Sequence, residues 1–86
     1  MADWTDTLAE ALHRDPLDSR DTNRLLLAAK DVAHRVERKQ TPLAAFLVGE
    51  FVGYRMTEGA SRMDALTEAM TQLHGLLPES SPSDES

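Results

Sequence analysis

His34, Arg35, Glu37, Arg38 and Lys39 are the residues of this chain best placed to do chemistry. On a continuous helix, His34 and Arg38 stand four apart and share a face, with Arg35 and Lys39 on the neighbouring strip. Thr41-Pro42 follows at once and reads as a helix start, Thr41 as the cap and Pro42 as the first helical residue. Helix N-termini present free N–H groups and positive potential to anions. Arginine adds a planar fork of donors. The pattern therefore suits an acidic protein surface or a cofactor phosphate, and it also suits cations that simply cap their own helix. Glu50 is the lone acid in an apolar stretch and needs a partner or exposure at a helix edge, His34 or Arg38 being the nearest candidates. Nothing near it supplies a nucleophile or a second carboxylate for acid–base work. His13, His34 and His74 fall on separate elements, with no metal-ligand spacing and no cysteine in the chain. The expectation is no catalytic residue, no metal site and no cofactor.

Four helices must position these residues. Helix 1 is expected over about Asp3–Arg14, with Trp4, Leu8, Ala11 and Leu12 at helical spacing and Asp15-Pro16 as the stop. Helix 2 is expected over about Ser19–Lys39, capped by Asp18 or Ser19, with Leu25, Leu26, Ala29, Val32, Ala33 and Val36 as its apolar stripe. Helix 3 starts at Thr41-Pro42 and runs to Gly59, a good residue to close it. From Leu43 to Tyr54 its only charge is Glu50, and a helix apolar on nearly every side belongs in the middle of a core. Gly49 and Gly53 share a side of it and would permit a tight crossing. Ser61 opens helix 4, with Asp64 three residues on. Its apolar face runs from Met63 through Leu66, Ala69, Met70 and Leu73 to Leu77, and Gly75 and Pro78 end it. Trp4 and Tyr54 are expected in the core or lining a groove. Met56, Met63 and Met70 would fill a core or form an adaptable contact surface. The fold class is all-α, a compact bundle of four helices around a central apolar third helix. It forms a single domain over 1–77, followed by a disordered acidic tail over 78–86.

Eighty-six residues make at most one domain. A chain of this size buries only about 60% of its unfolded surface. It can cover one central helix but cannot easily also hold a deep substrate cavity. The net charge of −6 disfavours nucleic acid, although residues 24–39 carry five bases against two acids. A helix-turn-helix reading of helices 2 and 3 fails because the would-be recognition helix, Pro42 to Tyr54, has no base-reading Arg, Asn or Gln. There is no signal-like N-terminus, and the longest apolar run, Pro42 to Val48, falls far short of the roughly 18 residues of a membrane span. A cytoplasmic protein is expected, with no membrane partner.

The segment from Asp31-Val32-Ala33-His34 through Val36-Glu37-Arg38 to Pro42-Leu43 and Ala44-Ala45-Phe46-Leu47-Val48-Gly49, closing at Gly53, resembles a small family of actinobacterial helical domains of unknown function. Trp4 and Leu8 extend the likeness into the first helix. Members of that family stand alone or are linked to molybdenum cofactor guanylyltransferase. The resemblance implies an accessory role in molybdopterin-guanine dinucleotide biosynthesis. The chain departs from the family pattern at Lys39-Gln40, where a proline is usual, and at Glu50, where an uncharged residue is usual.

Together these readings lead to a non-enzymatic module that binds a protein partner, a molybdenum cofactor guanylyltransferase or another protein of that pathway. His34, Arg35, Glu37, Arg38 and Lys39 would make the contact. Two alternatives stay open. One is a self-associating helical protein such as a homodimer; the other is a small carrier of a phosphate-containing cofactor or nucleotide, which needs a pocket beside His34 and Arg38.

Overall fold

Three of the four helices begin at a residue whose side chain accepts from the first turn. The computed structural model describes residues 3–78, and the expected acidic tail lies outside the described residues beyond Pro78. α1 spans Trp4–Ala11, α2 Ser19–Arg35, α3 Gln40–Thr57 and α4 Arg62–Leu76. There is no strand among the described residues. Asp3 caps α1 in a reciprocal box, its backbone N–H donating to Asp6 Oδ2 at 3.0 Å. Asp18 accepts from the Asp21 N–H at 2.7 Å, and Ser61 accepts from the Asp64 N–H at 3.1 Å. These starts agree with the sequence expectation.

α1 ends three residues earlier than expected. The Arg14 N–H reaches back to the Ala9 carbonyl at 2.8 Å, and the His13 N–H reaches Glu10 at 3.1 Å. This is a Schellman closure. It puts His13 in the left-handed region at φ 56°, where glycine would be unstrained. α3 closes the same way, with Ala60 bonded to Arg55, Gly59 to Met56, and Gly59 at φ 102° as its residue type predicts. α4 runs through Gly75 to Leu76 instead of stopping at the glycine.

α2 stops at Arg35 rather than Lys39, and α3 starts at Gln40 rather than Pro42. The two corrections have one cause. Pro42 lacks an N–H and is tolerated only in a first turn, so the chain has to reverse direction before it. The reversal occupies 36–39, and Pro42 becomes the third residue of α3. Lys39 takes the cap position without a side-chain bond, and Thr41 sits inside the helix.

α2, α3 and α4 form the bundle, with α3 packed on both neighbours. Ala28, Leu66, Ala69 and Met70 make the buried centre, and Leu25, Val48, Phe51, Val52 and Leu73 pack half-buried against it. Polar ties hold the helices in place. Arg55 of α3 bonds Glu68 of α4 at 2.9 Å, and Arg24 of α2 bonds Thr67 of α4 at 2.9 Å. Arg62 donates to the Pro16 carbonyl at 3.2 Å and so fixes the α1–α2 connector to α4. Asp21, only 7% exposed, faces Arg24 at 3.9 Å.

α3 is central in the packing, yet none of its residues is buried. Leu43, Phe46, Leu47 and Tyr54 face outward, Phe46 at 70% exposure. α2 and α4 pack on α3, and no other described helix comes against it. A Cβ built at Gly49 or Gly53 meets nothing within 4 Å, so the expected tight crossing is not there. Trp4 is likewise open, at 71%, because no Cα of α1 lies within 8 Å of a Cα of the other three helices. No helix among the described residues is long and apolar enough to cross a membrane.

Candidate interaction surface

The early end of α2 redistributes the charged cluster. His34 and Arg35 close the helix, while Glu37, Arg38 and Lys39 lie in the reversal, so His34 and Arg38 no longer share a helical face. Lys39 pairs with Glu37 at 3.6 Å, both well exposed, which makes the bond a weak one. His34, Arg35 and Arg38 have no acid within 4 Å among the described residues. Glu50 is exposed and likewise unpaired among them, which matches the expected edge position and rules out the pairing with His34 or Arg38.

The start of α3 does not offer an anion seat. The Gln40 and Thr41 N–H groups already donate to the Glu37 and Arg38 carbonyls at 3.0 and 3.1 Å, and Pro42 has no N–H. The donors that would hold a phosphate are therefore occupied or missing.

Two apolar depressions flank α3. The larger, about 680 Å³, is walled by Leu25, Ala28 and Val32 of α2, Val48 and Val52 of α3, and Leu66 and Met70 of α4. Arg14, Asp15 and Arg62 are among its few charged lining residues. Gly49 and Gly53 thin the α3 wall on this side. The smaller, about 390 Å³, is lined by Val36, Gln40, Leu43, Leu47, Phe51 and Leu76. None of His34, Arg35, Glu37, Arg38 and Lys39 lines either depression. Neither of these two depressions is therefore the pocket a nucleotide carrier needs beside His34 and Arg38. The reversal does run past the smaller depression, since Val36 and Gln40 bracket Glu37–Lys39 and line it.

The histidines do not converge. His13 is in the α1–α2 connector. His34 is near the end of α2. His74 of α4 donates from Nδ1 to the Met70 carbonyl at 2.8 Å and places Nε2 3.8 Å from Asp31. No group of three or more metal-ligating side chains gathers among the described residues.

The sequence reading found the cations and missed the apolar surface beside them. The signal was present. A helix apolar on nearly every side, packed among the described helices by α2 and α4 alone, shows its remaining face outward. The outward faces of Leu43, Phe46 and Leu47 are that surface.

The chain belongs to the DUF6457 family, a domain of unknown function, whose sequence profile matches residues 1–85. No curated protein and no solved structure matches the chain.

Proposed function

We propose that this DUF6457 domain is a non-enzymatic, cytoplasmic protein-interaction module. It serves molybdopterin-guanine dinucleotide biosynthesis by docking a protein of that pathway, a molybdenum cofactor guanylyltransferase. The observation that carries the interaction half is the outward apolar face of Leu43, Phe46 and Leu47 on the helix that follows Arg35 and Arg38, two cations unpaired among the described residues. Interfaces combine an apolar centre with a polar rim, and arginine and aromatic side chains are enriched in them. An acidic partner patch would meet these cations, and the chain's overall net charge of −6 would turn that patch away from other faces. The pathway half is supported by the resemblance of residues 31–53 to domains linked with the guanylyltransferase, and a family likeness is an associational warrant.

The test is titration of the purified chain against a purified molybdenum cofactor guanylyltransferase. Arg35→Glu with Arg38→Glu, and separately Phe46→Asp, should each weaken binding at least about ten-fold, the scale of a lost interface anchor. Circular dichroism should stay unchanged, since these residues lie outside the buried centre. Equal affinity of the variants, or no complex with the parent chain, would remove the assignment.

A further inference from the structure

We infer that α1 is an exchange arm. In a two-fold dimer it seats its apolar face in the larger groove of a second copy of this chain. No Cα of the arm lies within 8 Å of a Cα of the other three helices, yet a helix of its length requires a packing partner. An eight-residue helix is far too short to persist alone in water, where about 12–15 residues are marginal. α1 is nonetheless capped at both ends, and its Trp4, Leu8 and the following Leu12 are all exposed large apolar groups.

The connector is anchored at both of its ends. The left-handed turn at His13 sets its exit, and the Arg62 bond to the Pro16 carbonyl holds the connector on α4. The groove of the same chain is left open and apolar, with α1 leading off beside it, because His13, Arg14 and Asp15 stand at its edge. A second copy related by a two-fold axis meets both needs at once, since arm and groove are present on each chain.

Charge agrees with this seating. α1 and its cap carry Asp3, Asp6 and Glu10 and no base, whereas the groove edge carries Arg14 and Arg62 against Asp15 alone. The area is also sufficient. Two arms, each covering a tryptophan and two leucines against matching groove wall, bury on the order of 1,200 Å², the lower bound for a stable specific interface. Gly49 and Gly53 leave room for the arm, since neither position has an atom within 4 Å of where its Cβ would be.

Trp4 is the only tryptophan of the chain, so its fluorescence reports the arm directly. The full-length chain is followed by sedimentation and tryptophan emission over a wide concentration range. The expected result is a doubling of mass and a blue shift of emission with one common midpoint. Trp4→Ala should weaken the dimer roughly 30-fold or more, as loss of a buried aromatic anchor does. Gly49→Leu, whose side chain enters the groove from α3 through a position with an empty Cβ site, should also abolish it. Mixing Trp4→Ala with Gly49→Leu should restore a heterodimer through the one intact arm and the one intact groove. Three results would overturn the inference. These are a mass that never doubles, a blue-shifted emission independent of concentration (the arm closed on its own bundle), and a dimer in which Trp4 stays solvent-exposed. None of these readouts involves the guanylyltransferase, so this inference and the proposed function can fail separately.

Discussion

Arg55 Nε donates to Glu68 Oε1 at 2.9 Å, and that bond joins α3 to α4. The same guanidinium donates from Nη1 to Glu58 at 2.7 Å within its own helix end. The bonds to Glu58 and Glu68 raise the Arg55 pKa above its ordinary value. A cation whose folded pKa is raised lends stability below its unfolded pKa and loses it only as pH climbs through the folded one. For Arg55 that window opens only in strong alkali.

Glu68→Gln and Arg55→Gln are therefore expected to show a favourable coupling in a double-mutant cycle that is flat from neutral to mildly alkaline pH. The coupling should shrink as salt is added, because the pair is exposed. Urea titrations at several salt concentrations check this. A coupling that grows with salt would contradict the assignment.

His13→Gly should stabilise the chain by about 0.5–1 kcal/mol. It relieves a left-handed penalty of about 1–2 kcal/mol and gives part of that back in unfolded-state entropy. The comparison is with His13→Ala, which keeps the strain and should gain nothing. Hydrogen-exchange protection of the α1 amides in the two variants and the parent gives both values.

Gly49→Ala and Gly53→Ala should each add about 0.5–1 kcal/mol, since both glycines are inside a helix and their Cβ positions are empty. Thermal melting at a concentration where the chain is monomeric is the measurement. Destabilisation by either variant would mean that a second helix lies closer to α3 than the structure shows.

Leu66→Ala and Phe46→Ala should behave in opposite ways. Leu66 is 5% exposed at the buried centre, and its truncation should cost about 2–4 kcal/mol. Phe46 is 70% exposed, and its loss should move stability by no more than about 0.5 kcal/mol while lowering affinity for the partner. Unfolding curves and partner titrations on the two variants separate a residue that holds the bundle from one that meets another molecule.

What the sequence made legible was local. Asp18, Ser61 and Gly59 act through hydrogen bonds and dihedrals within a few residues, and each stands where its type places it. The apolar positions of α4 were legible in part: Leu66, Ala69 and Met70 are buried where their spacing puts them, whereas Met63 is exposed and Ala65, off the expected stripe, is buried. α3 was legible as apolar but not as exposed. Periodicity reports which residues avoid water and is silent on what covers them, so Phe46 and Tyr54 look the same in sequence whether a helix or a partner lies over them. The end of α2 was misplaced because Val36–Lys39 has no glycine or proline to mark a reversal. The stop is imposed from downstream, by the place Pro42 must take in α3. Of the candidate site, the cations were legible by type, and their mutual geometry was lost with that misplaced end.

The isolation of α1 has a consequence for how the chain opens. A helix with no Cα within 8 Å of the other three helices exchanges its amide hydrogens through its own fraying, not through global unfolding. Residues 4–11 should then lose protection orders of magnitude faster than the amides around Leu66 and Met70. They would recover slow exchange only when another surface closes over them. Deuterium uptake in this one segment would therefore register occupancy of the arm, while the remaining amides would register the stability of the bundle.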